Sequence, residues 1–142
     1  MTGCGSILWM APEILLGAKY NEKVDVYSYA MCLVELVHRN LPWHGTGVGQ
    51  QAIPVRVTRG QRPEAQLRKC RPERLTELIG ECWKHEPHAR PEFPDIMFTC
   101  NEMYLSHLKE MKQTGEPSRR SGGASYSRPA SKRAHHPDRI DE

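Results

Sequence analysis

The sequence predicts a mainly α-helical chain that gives way to a disordered tail. Three observations carry this reading. Apolar residues recur at helical spacing in several segments, no segment shows a convincing strand alternation, and the composition changes abruptly near residue 114. A length of 142 residues allows one domain and at most a tail.

The helical elements follow in chain order. Pro12 suits a first helical position, because its missing N–H has no intrahelical partner there, and Gly17 is placed to stop the short helix Pro12–Leu16. Asn21 is a good N-cap, and Glu22 favours the positive end of the helix that follows. From Val24 to Val37 that helix is apolar almost all round, so protein must wrap most of its sides. The chain looks too short to supply all of that wrapping. Asn40 and Pro42 are expected to end it. A short helix over 50–59 is expected to kink or break at Pro54. Pro72 to Trp83 is amphipathic, with Leu75, Leu78, Ile79 and Cys82 at helical spacing. A last helix, Pro94 to Lys112, carries Ile96, Met97, Cys100, Met103, Tyr104 and Leu108 on one stripe. The best strand candidate, Val55-Arg56-Val57, is short.

Residues 114–142 contain five Ser, five Arg, three Pro and three Gly, with Ile140 the one large aliphatic. Such a segment buries too little apolar surface to offset its ordering entropy. The chain therefore divides into 1–113 and a disordered, basic tail, 114–142. Arg119-Arg120-Ser121 and Arg128 to Ser131 have the look of basophilic phosphorylation sites, but a plain unstructured extension is the favoured reading.

The formal net charge is +3, from 20 Lys+Arg against 17 Asp+Glu, which argues against a dedicated nucleic-acid binder. Tyr126 is the tail's one aromatic, too few stacking platforms for single strands. The longest apolar run, Tyr29 to Val34, is far below the ~18–20 residues of a membrane span, and no leader is visible. The five cysteines form no C-x-x-C pair and read as reduced, mostly core-packed thiols in a cytoplasmic, monomeric protein. Cys82, His85 and His88 do not have metal-ligand spacing, since Pro87 interrupts them, and His135-His136 reads as solvated; no metal is expected.

Four motifs occur in order. Gly5-Ser6-Ile7-Leu8-Trp9-Met10-Ala11-Pro12-Glu13 resembles the end of a protein-kinase activation segment, with its A-P-E signature. Asp25-Val26-Tyr27-Ser28-Tyr29-Ala30 resembles the D-V-W-S-F-G that opens the central helix of the kinase C-terminal lobe. Leu41-Pro42-Trp43 follows that helix, and Cys82-Trp83, Pro87 and Arg90-Pro91-x-Phe93 resemble the C-W…P…R-P-x-F string of the last helices. W-M-A-P-E with C-W…R-P-x-F is similar to the tyrosine-kinase-like branch of Ser/Thr kinases. The resemblance covers residues 1 to about 110 and implies an incomplete, helical C-terminal lobe of a protein-kinase-like fold.

It also implies roles. Glu13 and Arg90 correspond to a buried ion pair joining the activation segment to the base of the lobe. Asp25 matches an Asp that holds the catalytic loop; without that loop in this chain, Asp25 is expected to be solvated or locally capped. Gly5, Ser6 and Trp9 match the substrate-facing loop, although a plain exposed serine is the favoured reading of Ser6. Trp9 and Trp83 read more readily as core anchors, and Ala30 retains a small residue where the pattern has Gly. The sequence contains no V-A-I-K lysine, no H-R-D and no D-F-G. Gly45-Thr46-Gly47-Val48-Gly49-Gln50 approaches G-x-G-x-x-G but ends in Gln and follows a helix. Phosphoryl transfer needs those parts to hold phosphates, Mg²⁺ and the acceptor hydroxyl. The expectation is thus a Ser/Thr kinase fragment, inactive alone, with no catalytic residue and no cofactor of its own. ATP and Mg²⁺ belong to the intact parent, and the partners are protein substrates or an intact kinase. The alternative is a non-catalytic, pseudokinase-like helical interaction module.

Overall fold

The computed structural model describes residues 6–67 and 72–114. Residues 1–5, with Gly5 and Cys4, lie outside it, as do Cys70 and the tail from 115 onward. The described residues are helical, without strands: α1 (Pro12–Leu15), α2 (Lys23–His38), α3 (Ile53–Thr58), α4 (Glu73–Cys82) and α5 (Phe93–Thr114). Short 3₁₀ turns at Ser6–Trp9, Gln50–Ala52, Glu64–Leu67 and Pro87–Ala89 join them.

Helix α2 is the centre. It packs against α4, against the Ser6–Trp9 and Glu64–Leu67 turns and against Pro87–Ala89, while α1 meets α3 and α4 meets α5. Val26, Tyr27, Ala30, Met31, Leu33 and Val34 of α2 are buried with Leu78, Ile79, Cys82, Trp83 and Ile96. Fully burying one such side chain contributes about 1.5–3 kcal/mol. The wrapping stops at one face, where Asp25 and Cys32 are exposed and Leu36 is 73% accessible. Cys32 is therefore not core-packed, unlike Cys82, whose thiol burial pushes up to about 12, with the Glu81 charge adding to the effect.

Boundaries differ from expectation where backbone geometry intervenes. Asn21 bonds as a cap, its Oδ1 accepting from Lys23 N–H at 3.2 Å, though Glu22 directly precedes the first helical residue. Helix α2 ends at His38 and is capped by Arg39, before Asn40 and Pro42 are reached. Arg39 adopts φ 57°, and its N–H donates to Glu35 O at 2.7 Å. Left-handed backbone costs an L-residue roughly 1–2 kcal/mol, which that capping bond offsets in part. Trp43, at φ 72° and buried, is held likewise: Thr46 donates to its carbonyl through Oγ1 at 2.6 Å and through N–H at 3.2 Å. Gly17 does stop α1, at φ 63°.

Pro54 neither kinks nor breaks its helix. It occupies the first turn of α3, where its missing N–H has no partner to lose. The strand candidate Val55-Arg56-Val57 lies inside the same helix, with Val57 buried and Val55 out. The α5 stripe is narrower than expected. Ile96 and Thr99 are buried and Cys100 and Met103 half-buried, whereas Met97 is 70% and Tyr104 60% accessible. α5 packs through one side alone, so a broad sequence stripe leaves its margin in solvent.

Candidate functional site: a buried arginine clasp

Arg90 lies between the Pro87–Ala89 turn and α5, with its side chain buried. Glu13 sits in the first turn of α1, where a carboxylate suits the helix dipole. The two meet in a bidentate pair, Nη1 donating to Oε1 at 2.7 Å and Nη2 to Oε2 at 2.9 Å. The remaining donors are also satisfied. Nε donates to Lys84 O at 2.8 Å, Nη1 to Lys23 O at 2.8 Å and Nη2 to His85 O at 3.1 Å. All five guanidinium N–H groups thus have acceptors, the condition under which a buried charge is tolerated.

Lys23 closes the clasp from the other side. Its ammonium, buried at the start of α2, donates to Arg90 O at 2.8 Å and Pro91 O at 3.1 Å and pairs with Glu92. Burial pushes the Glu13 carboxyl up. The Arg90 hydrogen bonds, a bond from its own backbone and the Arg90 and His85 charges outweigh this, holding it below the ordinary 4.5.

Tyr27 forms the floor. Two guanidinium groups approach its ring, Arg62 at 5.0 Å and Arg90 at 5.2 Å from the centroid. Desolvated contacts of this kind are worth ~2 kcal/mol. Burial raises the phenol to about 12 against the opposing arginine charges, and the buried hydroxyl has no hydrogen-bond partner among the described residues. Arg62 is fixed by Trp83 O at 2.8 Å, Val57 O at 3.2 Å and Gln61 O at 2.7 Å. Trp83 therefore serves twice, as a buried ring and as an acceptor.

The structure brings Glu13, Arg90 and Trp83 into one cluster. It leaves Asp25 outside, in solvent. Trp9 is half-buried against the core, and its carbonyl accepts from Ser28 Oγ at 2.9 Å, which ties the Ser6–Trp9 turn to α2. Ser6 opens that turn, and Gly5 lies outside the described residues. Cys82 is in the core while His85 and His88 are exposed, and no group of three metal-ligating side chains occurs among the described residues.

Sequence reasoning missed Lys23, Tyr27 and Arg62. Lys23 left a signal, since a cation in a helix's first turn opposes the dipole unless it has partners. Arg62 left none, because its acceptors, the carbonyls of Val57, Gln61 and Trp83, are backbone groups that any residue offers. Glu13 and Arg90 neutralise each other, Lys23 pairs with Glu92 and Arg62 is held by backbone carbonyls, so the cluster fastens chain segments together.

The sequence profile of a family described as protein tyrosine and serine/threonine kinase matches residues 2–99. The chain belongs to this kinase family. It is the C-terminal part of a kinase catalytic domain. A probable serine/threonine-protein kinase of Dictyostelium discoideum is 40% identical over 99 residues, covering 70% of this chain and 10% of that protein. Mitogen-activated protein kinase kinase kinase 7 of Drosophila melanogaster is 37% identical over 99 residues, 70% of this chain and 14% of its own length. A serine/threonine-protein kinase of Arabidopsis thaliana is 37% identical over 99 residues, 70% of this chain and 17% of that protein. The chain thus spans 10–17% of the length of these kinases. The matched residues include Glu13, Lys23, Tyr27, Arg62, Trp83 and Arg90, so the whole clasp lies within the kinase-like region. No described helix is long and apolar enough to cross a membrane.

Proposed function

We propose that this kinase fragment supplies the substrate-facing loop and the helical floor of a protein kinase of the tyrosine-kinase-like branch. The parent transfers the γ-phosphate of ATP, with Mg²⁺, to Ser or Thr hydroxyls of cytoplasmic protein substrates, and this chain alone transfers none. The observation that carries the reading is the bidentate Glu13–Arg90 pair. It anchors the segment ending in Ala11-Pro12-Glu13 to the base of the lobe, which supports reading the Ser6–Trp9 turn that precedes it as part of the substrate-facing loop.

The residues present do not fit ATP or Mg²⁺. The glycines of 45–49 fall in a turn after α2, where the Thr46 N–H and hydroxyl already donate to Trp43 O, so that turn is not a free phosphate cradle. Neither H-R-D nor D-F-G occurs in the sequence. A chimaera tests the assignment. Residues 2–99 replace the matching stretch of the Dictyostelium kinase, and phosphate incorporation into Ser/Thr substrates is measured. The expected result is transfer, lost with Arg90→Met; a folded chimaera that transfers nothing overturns the reading.

A second reading, a non-catalytic helical interaction module, is favoured by the open face of α2 at Cys32 and Leu36. Competition distinguishes the two. The module reading requires the chain to bind a partner or compete with an intact kinase, and the fragment reading does not.

A further inference from the structure

Helix α5 packs inward through Ile96, Thr99 and, in part, Cys100 and Met103, which leaves its opposite face bare. On that face Phe98, Asn101, Leu105, Leu108 and Lys112 follow at alternating spacings of three and four residues, the spacing of a two-helix seam. Phe98 is 62% and Leu105 47% exposed, and Leu108 is half-buried. The two edges that flank this seam differ in kind. Met97, Tyr104 and Met111, seven residues apart, make one edge apolar. Asp95, Glu102 and Lys109, also seven apart, make the other edge charged. Single exposed apolar residues are ordinary, but a contiguous strip of them marks a contact surface.

We propose that two copies of this chain associate through the strip, α5 against α5, antiparallel about a two-fold axis. The pattern of the edges selects that arrangement. An antiparallel pair sets like edge against like edge, apolar on apolar and charged on charged. A parallel pair sets the charged edge of one copy against the apolar edge of the other. With the axis level with residue 103, Phe98 lies on Leu108 of the second copy, Asn101 beside Leu105, and Tyr104 meets its own counterpart. Asp95 then lies opposite Lys109, and the symmetry makes that pair twice. Glu102 lies opposite Glu102, the one unfavourable contact of the register. Aromatic side chains bury about 150–250 Å² each, so Phe98 and Tyr104 with the aliphatic residues around them remove roughly 1,000 Å² from two copies. That is the lower limit of a specific interface, so association is weak and a dilute chain is monomeric. The proposal does not rest on the kinase reading.

Sedimentation velocity of the full 142-residue chain, from about 5 to about 500 μM, tests it. The expected result is a shift from monomer to dimer as concentration rises. Leu105→Glu, at an exposed position, is expected to weaken association about tenfold with helical content unchanged, since it buries an unpaired carboxylate in the seam. Glu102→Gln is expected to tighten association about threefold by removing the repulsion across the axis. Lys109→Glu is expected to weaken it about threefold, and Asp95→Lys added to Lys109→Glu to restore it. Leu36→Gln, on the open face of α2, is expected to leave it unchanged. A chain that stays monomeric throughout overturns the proposal, whether that face is then bare or taken by another protein. A dimer indifferent to Leu105→Glu, or lost with Leu36→Gln, overturns it in favour of a different surface, and a dimer weakened by Glu102→Gln overturns the register.

Discussion

At the scale of single residues, Arg90 joins three separate chain segments through one guanidinium. Removing one partner of such a buried pair leaves the other charged and unpaired, at a cost of roughly 3–5 kcal/mol. Arg90→Met is therefore expected to abolish cooperative urea unfolding. Arg90→Lys should not rescue it, since an ammonium has three donors against the five used here. Retention of the wild-type midpoint by either variant would show that the clasp does not support the fold. Glu13 sets the pH behaviour. Its carboxyl is held below the ordinary value, so its stabilisation is complete above the unfolded pKa of about 4.5 and is lost as pH falls through the depressed folded value. Glu13→Gln should flatten the acid limb of a stability–pH curve while leaving its shape near neutrality unchanged. An unaltered acid limb would assign acid sensitivity to other groups.

At the scale of elements, α5 and α4 differ in how fully each is used. Leu78 of α4 is buried at 1% exposure, so Leu78→Ala is expected to cost about 2–5 kcal/mol in chemical denaturation. Met97, on the open side of α5, should fall within about 0.5 kcal/mol when changed to Ala. Equal costs at the two positions would mean that α5 has a packing partner on its outer side. The same contrast explains what the sequence revealed. Periodicity found α4 and α5 because one-sided burial imposes it, and it placed Leu78, Ile79 and Ile96 correctly, whereas α2 showed as a run apolar almost all round. It put Met97 and Tyr104 in the core because a stripe shows which residues are apolar, not how much of the stripe has a partner. Pro54 was misread as a breaker because its effect depends on whether it opens the helix or interrupts it.

At the scale of the whole molecule, the central helix is wrapped on one side and open at Cys32 and Leu36 on the other. An apolar-all-round helix with an open face implies marginal stability for the isolated chain. The Glu13–Arg90 pair was legible because two motifs flank it, whereas Lys23 and Arg62 act through backbone carbonyls that no residue pattern announces. What the chain holds is a scaffold: a fastened loop, a central helix and a base. The most direct test of that claim is a γ-phosphate transfer assay on the purified 142-residue chain, with ATP, Mg²⁺ and a Ser/Thr protein substrate, after helical content has been verified. The account predicts incorporation no greater than in a control without the chain. Incorporation that depends on the chain and persists through repurification would contradict it.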